Sequence, residues 1–140
     1  MPASSCLPYL SFDGNCREAF EFYRSVFGGE FHVLSTFGDG PDDMTPSEAV
    51  KDRIMHVSLG IGSTVLMGSD TSERAPVKHG DDFSLSVTMD DADECDDLLA
   101  RLSDGGTVTM PMQQQFWGAY FGMCTDRFGI NWMVLSEPAG

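Results

Sequence analysis

Nearly the same pattern of residues occurs twice in this sequence, 77 positions apart. Each copy has a short apolar–polar alternation ending at an aspartate, Asp13 or Asp90, then a helix-like stretch and a glycine pair at 28–29 or 105–106. A shift of 77 positions aligns the aspartates and the glycine pairs without a gap. Internal similarity of this kind indicates a duplicated structural unit. We therefore expect two strand–helix–strand units that fold around a shared concavity able to hold a small molecule.

Length and composition limit the class of protein. The chain has 140 residues, of which 41% are hydrophobic, and this predicts one globular domain over residues 1–140. No apolar run approaches the ~20 residues that a membrane span needs, so no membrane partner is expected. The first residues, MPASSC, contain neither a basic cluster nor an apolar stretch. No signal peptide is therefore predicted, and a cytoplasmic location is expected.

Charge and cysteine spacing argue against two further classes of function. The chain has 22 acidic and 8 basic residues, a formal net charge of −14. Such a surface repels phosphate backbones, so nucleic acid is not an expected partner. The cysteines form no C-x-x-C pair and no zinc-ribbon spacing. We expect reduced thiols, with Cys16 and Cys95 packing inside the predicted helices.

Apolar periodicity predicts eight strands and two helices. The predicted strands cover residues 7–12, 31–37, 54–60, 64–68, 83–89, 107–112, 119–125 and 131–135. One predicted helix covers 17–27, and the other follows Asp90 and Asp91 and runs through Cys95, Leu98, Leu99 and Leu102. Each half then forms a βαβββ module, the first over residues 7–70 and the second over residues 82–136. The predicted fold class is α+β, with two tandem βαβββ modules forming a cupped mixed sheet.

Acidic residues occupy two kinds of position with different predicted roles. Asp13 and Asp90 follow the first strand of each module, and their duplication predicts a role in capping the next helix. The Gly/Pro/Asp-rich stretch 38–52 predicts a long loop of the kind that serves as a lid or binding loop. In that loop Asp42, Asp43 and Glu48 could bind a cation or stay solvated.

Short motifs along almost the whole chain resemble those of a known family. They are YLSFDGNC at 9–16, FY at 22–23, FGG at 27–29, MH at 55–56, FWG at 116–118, TDRFGI at 125–130 and WM at 132–133. Together they resemble the PhnB-like branch of the vicinal oxygen chelate superfamily, often labelled demethylubiquinone methyltransferase-like. The superfamily includes glyoxalase I, extradiol dioxygenases, and fosfomycin- and bleomycin-resistance proteins. The resemblance implies paired βαβββ modules around a ligand-binding cup, and a homodimer.

The resemblance also implies where a divalent metal would bind. The metal-binding positions of the superfamily fall near Pro8, Met67, Ser84 and Met133 in this sequence, and none of these residues has a carboxylate or an imidazole. A thioether is a soft ligand that suits hard or borderline metals poorly. We therefore expect no cofactor and no bound catalytic metal, with an unforeseen site such as His56 with Asp70 as the alternative.

His56 is the candidate catalytic residue. It lies in the predicted strand at 54–60, and an imidazole that titrates near neutral pH can accept a proton or donate a hydrogen bond to a ligand. The alternative is a structural histidine that is satisfied by backbone or by a neighbouring carboxylate, or that stabilises a dimer.

The remaining candidate ligand-binding residues are apolar or amide side chains. Gln114, Trp117 and Tyr120 form a cluster of amide and aromatic groups, which is the composition of a small-molecule pocket. Met67 and Met133 would give the cup an adaptable apolar floor. Alternatively, Trp117 closes the mouth of the barrel or contacts another subunit, and the two methionines belong to the core.

The sequence therefore predicts a protein of unassigned activity that binds a small molecule in its cup without a catalytic metal. The alternative is a metal-dependent or His-based enzyme of the glyoxalase, dioxygenase or transferase type. A third interpretation is a scaffold dimer whose cup is filled by its own side chains.

Overall fold

The computed structural model describes residues 1–39, 50–71 and 76–138. The chain divides into two compact units, Met1–Val77 and Lys78–Gly140. Each unit has one helix and one four-stranded sheet. Most of the predicted loop at 38–52, including Asp42, Asp43 and Glu48, lies outside the described residues.

The first unit follows the order β-α-β-β-β. Its elements are β1 (Tyr9–Phe12), α1 (Cys16–Phe27), β2 (Phe31–Thr36), a short 3-10 turn (Phe37–Asp39), β3 (Ile54–Ile61) and β4 (Thr64–Asp70). The sheet order is β1-β4-β3-β2. Strand β1 is parallel to β4, and the other pairs are antiparallel. The sheet is therefore mixed.

Helix α1 packs its apolar side on this sheet. Cys16, Ala19, Phe20 and Tyr23 recur at helical spacing and are buried, as expected for the core-facing side of an amphipathic helix. A Cβ atom at Gly68 of β4 would lie 2.6 Å from the Phe20 ring. Glycine at this position therefore allows the helix to approach the sheet closely.

The N-terminus of α1 is capped by a residue far away in sequence. Asp70, only 3% exposed, accepts hydrogen bonds through Oδ1 from the backbone N–H groups of Gly14 (2.8 Å) and Cys16 (3.0 Å). Its Oδ2 accepts from the N–H group of Ile54 at 2.9 Å. The prediction that Asp13 caps this helix is wrong, because its carboxylate instead pairs with Arg53 at 3.1 Å.

The second unit repeats the topology of the first. Its elements are β5 (Leu85–Thr88), α2 (Ala92–Leu102), β6 (Thr107–Gln114), β7 (Tyr120–Thr125) and β8 (Asn131–Ser136). The sheet order is β5-β8-β7-β6, with β5 parallel to β8. The predicted α+β fold with two βαβββ modules is confirmed. Strand β6 extends beyond its predicted end because Gln113 and Gln114 pair with β7.

Helix α2 is capped locally, unlike α1. The Asp91 carboxylate accepts from the N–H group of Glu94 at 2.8 Å, and the Glu94 carboxylate accepts from the N–H group of Asp90 at 3.2 Å. This pair is a variant of the capping box, in which the Glu94 carboxylate bonds the residue before the N-cap. The capping side chain therefore belongs to Asp91, one residue after the predicted Asp90. Neither helix of the described residues is long and apolar enough to cross a membrane.

Candidate functional site

The sheet of the first unit has one face on α1 and one opposite face. On β4, Leu66 and Gly68 are buried beneath the helix, so the intervening Met67 points to the other side, because side chains alternate along a strand. Tyr9 and Ser58 pair with Met67 in register from the two neighbouring strands. We call the face formed by Tyr9, His56, Ser58 and Met67 the α1-distal face.

Tyr9 and His56 contact each other across this face. The Tyr9 hydroxyl lies 3.3 Å from His56 Nδ1, and the two rings stack with centroids 5.8 Å apart and an interplanar angle of 27°. Tyr9 is on β1 and His56 is on β3, so the contact spans the intervening strand β4. Tyr9 is 49% exposed, and His56 is partly exposed.

This pair combines two groups that handle protons. A neutral imidazole has one donor and one acceptor nitrogen, and a phenol can donate or accept. When the Tyr9 hydroxyl donates to Nδ1, the His56 Nε2 atom carries the ring proton and becomes a hydrogen-bond donor. Tyr9 was missed by sequence reasoning, because its partner is 47 residues away. Its place in the YLSF motif was the only signal.

The residues at the superfamily's metal-binding positions do not fit a divalent metal. Pro8 has no donor side chain, and its carbonyl accepts from the N–H group of Met67 at 3.2 Å. Met67 and Met133 have only thioethers, and Ser84 has a neutral hydroxyl. Within ranges 1–39, 50–71 and 76–138, His, Cys, Asp and Glu form no group of three or more that could hold a metal ion.

His56 and Asp70 do not form a joint site. Asp70 alternates with Gly68 and Leu66 toward α1, where three backbone N–H groups bind its two carboxylate oxygens. His56 lies on the α1-distal face with Tyr9. The predicted cation site of His56 with Asp70 is therefore wrong, because the two side chains lie on opposite faces of the sheet.

Tyr120 lies on the helix side of the second sheet. It pairs in register with Ser136, and its hydroxyl donates to Asp96 of α2 at 2.6 Å. That hydrogen bond to a carboxylate is the main reason that the pKa of Tyr120 is raised, with a smaller contribution from burial. Met133 alternates with the buried Trp132 and Val134 and so lies on the other face. The structure therefore separates Tyr120 from Met133.

Gln114 and Trp117 lie at the loop between β6 and β7. Gln114 Nε2 donates to the carbonyl of Gly118, which has a φ of 103°. Phe116 is fully exposed and Trp117 is 51% exposed at this loop, and the Trp117 ring lies 6.2 Å from Phe121. Gln114 thus holds the loop, and ligand contact by Gln114 or Trp117 stays a prediction.

Met133 belongs to a row of methionines on the face opposite α2. Met110, Met123 and Met133 pair in register across β6, β7 and β8. Met110 and Met123 were missed by sequence reasoning, because two irregularities in the β6–β7 register determine which residues meet. We call the face formed by these methionines and Phe121 the α2-distal face.

The buried cysteines are packing residues. Cys16, Cys95 and Cys124 are at most 1% exposed. Burial raises the pKa of Cys16 far above its usual range, with a smaller contribution from Asp70, and it raises the pKa of Cys124 to about 11. These thiols stay protonated at neutral pH and are therefore poor nucleophiles. The predicted packing role of Cys16 and Cys95 is confirmed.

Two βαβββ modules define a class of protein. The same fold occurs in a fosfomycin resistance protein from Listeria monocytogenes and in glyoxalase-related proteins, which are members of the vicinal oxygen chelate superfamily. The sequence profile described as 3-demethylubiquinone-9 3-methyltransferase matches residues 4–135. This chain belongs to that PhnB-like family.

Individual relatives support the assignment over the full length. Protein YjdN from Escherichia coli is 30% identical, over 96% of this chain and 94% of YjdN. The crystal structure of PA1353 from Pseudomonas aeruginosa superimposes with a TM-score of 0.86 at 43% identity, over 97% of this chain and 99% of that one. A PhnB protein from Bacillus cereus, described as a putative 3-demethylubiquinone-9 3-methyltransferase, has a TM-score of 0.78 at 23% identity, over 95% and 99% of the two chains.

Proposed function

We propose that this protein binds a small planar molecule carrying hydroxyl or keto groups, through Tyr9, His56 and Met67 of the α1-distal face. The observation that carries the proposal is the stacked Tyr9–His56 pair, which presents an aromatic surface and polar atoms on a partly exposed face. Small-molecule sites combine an apolar lining with a few placed polar groups. The name of the family suggests a quinol ring as the class of ligand.

A binding role explains the Tyr9–His56 pair better than a stabilising role does. The Oη–Nδ1 distance of 3.3 Å is long and the contact is exposed, and an exposed neutral hydrogen bond contributes only about 1 kcal/mol to stability. The Tyr9 ring lies on the edge strand β1 and is half exposed. A ring with only a packing role would gain more stability from burial. A ligand ring stacked there would cover this apolar surface.

Met67 complements the pair chemically. It lies next to Tyr9 in register, and its flexible thioether side chain adapts to differently shaped rings. The polar atoms of the pair can bind a hydroxyl or keto oxygen, because the phenol and the imidazole can each act as donor or acceptor. The three residues together favour a weakly polar ring over a phosphate or a sugar.

Calorimetric titration with a water-soluble ubiquinone headgroup analogue, in its quinol form under anaerobic conditions, tests the proposal. The quinol form is chosen because it does not alkylate the exposed Cys6 thiol. We expect His56→Gln and Tyr9→Leu each to weaken binding by about tenfold or more, which corresponds to about 1.4 kcal/mol. His79→Gln is the matched control, since His79 is an exposed histidine of the second unit.

Two outcomes would overturn the proposal. One is equal affinity of the wild type and the His56→Gln variant for the quinol. The other is no binding of the quinol together with no shift of the His56 ring resonances when a set of planar phenols and heteroaromatics is screened by NMR. Binding of a different ring in that screen, with loss in His56→Gln, would support the site and change the ligand.

A second candidate function is a His-based enzyme of the glyoxalase, dioxygenase or transferase type. It is favoured by the hydroxyl–imidazole contact at 3.3 Å. When Nδ1–H donates to the Tyr9 oxygen, the Nε2 atom keeps a free lone pair and can take a proton from a bound ligand as a general base. Turnover of a bound ring that is lost in His56→Gln, with binding retained, would support this candidate. Full activity of that variant would remove His56 from the reaction.

We also propose a homodimer. Large apolar side chains at Phe83 and Phe116 are exposed in the second unit, and aromatic residues of this kind are enriched in protein interfaces. Sedimentation velocity would show a dimer that Phe116→Ser weakens. A monomer at all concentrations would contradict this proposal.

A further inference from the structure

The α2-distal face places three thioethers side by side. Met110 pairs in register with Met123, and Met123 pairs with Met133. Each of the three methionines lies on a different one of three adjacent strands, and each is partly exposed. We call Met110, Met123 and Met133 the methionine row.

The geometry allows the three sulfurs to meet. Neighbouring strands lie about 4.8 Å apart, and Cβ atoms of directly opposed residues lie about 5 Å apart. Methionine is unbranched and has three rotatable side-chain bonds. The outer methionines can therefore turn their sulfurs over the central Met123, which would form a three-coordinate thioether site.

The chemistry of the row selects one class of ion. Register partners in the row are thioethers, and the fourth strand adds the hydroxyl of Ser86 beside Met133. Thioethers are neutral soft ligands, which prefer Cu(I) to zinc, magnesium or calcium. The net charge of −14 adds a negative field that attracts cations. We propose that the methionine row binds one monovalent soft cation, Cu(I), with Ag(I) as its redox-inert substitute.

Packing alone does not account for sulfur in all three places. On the same strand as Met133, the core-facing positions beneath α2 are Trp132 and Val134, which are fully buried and contain no thioether. Leucine would fill the methionine positions with nearly equal volume. The inference does not rest on the function proposed above, because it concerns the other unit, other residues and another kind of ligand.

Anaerobic titration with Cu(I), in competition with a chromogenic Cu(I) chelator, tests the methionine row. The parent protein should carry Cys6→Ser, because Cys6 is the exposed cysteine and a thiolate would compete for the metal. We expect one equivalent to bind. Met123→Leu, a change of similar volume in the centre of the row, should weaken binding by about tenfold or more.

The matched control is Met55→Leu, which changes an exposed methionine of β3 in the first unit and should leave the affinity unchanged. Methyl NMR of methionine-labelled protein with Ag(I) supplies a second readout that needs no variant. The methyl signals of the row should shift, and those of Met67 and Met112 should not. Binding with unchanged affinity in Met123→Leu, shifts confined to other methionines, or no bound equivalent would each overturn the proposal.

Discussion

The two units share one topology and differ on the faces that lie away from their helices. Met67 of β4 and Met133 of β8 hold the same place, each paired with the first strand of its unit, through Tyr9 and through Ser86. On the neighbouring strand, the register partner of Met67 is Ser58 of β3, and the register partner of Met133 is Met123 of β7. His56, two positions before Ser58, corresponds to Phe121, two positions before Met123.

This difference shows which part of a duplicated fold is free to change. The central helix-facing positions, such as Leu66 in the first sheet and Trp132 and Val134 in the second, are buried and apolar, because they fill a core beneath a helix. The α1-distal face of the first unit carries the polar aromatic pair Tyr9 and His56, whereas the α2-distal face of the second unit carries a row of three methionines. The α1-distal face has groups that can hydrogen-bond the polar substituents of a planar ring, whereas the α2-distal face has thioethers that favour a soft cation.

The units also differ in how each helix start is fixed, and this difference gives the largest expected effect. Asp70 and Ser136 hold equivalent places at the ends of β4 and β8. Asp70→Ala would leave three backbone N–H groups without their acceptor, so we expect a loss of about 3–5 kcal/mol in unfolding free energy. Ser136→Ala, the matched change, should cost about 1 kcal/mol.

Urea unfolding, followed by circular dichroism and by tryptophan fluorescence, measures both losses. Asp70→Asn should fall between wild type and Asp70→Ala, since an amide keeps one acceptor oxygen and lacks the charge. Similar midpoints for Asp70→Ala and Ser136→Ala would show that the two helix starts are held equally, and would remove this part of the comparison.

The element types and their order followed from the sequence, whereas the cap of α1 could not. Helices and strands are set by periodicity over neighbouring residues, which is a local signal. Asp70 reaches the helix start only after β4 has paired with β1, and its partner Gly14 is 56 residues away. The sequence favours Asp13 because capping side chains are usually adjacent to their helix.

The faces of the candidate site were predicted less well than the elements for a related reason. His56 was identified from its chemistry, but its partner Tyr9 depends on the order of three strands. Nearness along the chain groups Tyr120 with Gln114 and Trp117, whereas alternation along β7 places Tyr120 on the helix side, where it bonds Asp96 of α2. Single-residue register shifts decide such faces, because they exchange the two sides of a strand.

The glycine pairs that revealed the duplication should tolerate substitution differently. A Cβ atom at Gly106 would lie 2.2 Å from the carbonyl oxygen of Thr125, which would push β6 away from β7. The corresponding Gly29 has a φ of 85°, and its Cβ atom would meet nothing closer than 4.0 Å. We expect Gly106→Ala to cost about 3 kcal/mol of unfolding free energy and Gly29→Ala about 1 kcal/mol.

Urea midpoints of the two alanine variants, measured in one buffer, test this contrast. The physical reasons differ, since Gly106 is required by space and Gly29 by backbone conformation. Gly29→Asn supplies a control, because asparagine accepts positive φ more readily than alanine does and should recover part of the loss. Equal losses of unfolding free energy in Gly106→Ala and Gly29→Ala would contradict the expected difference between the two glycines.

The smallest expected effect concerns Tyr120, on the helix side of the second sheet, in comparison with Tyr9 on the α1-distal face of the first. The hydrogen bond to Asp96 raises the pKa of Tyr120, because it favours the protonated phenol over a phenolate beside a carboxylate. The unfolded chain then loses this proton at a lower pH than the folded chain, so the stabilisation is present below pH ~10 and disappears as pH rises through the folded pKa. Absorbance titration of the phenolate should show one tyrosine that ionises earlier in Asp96→Asn than in the wild type. Tyr9→Phe should leave that late step in place, and its disappearance in Tyr9→Phe would assign the step to the α1-distal face instead.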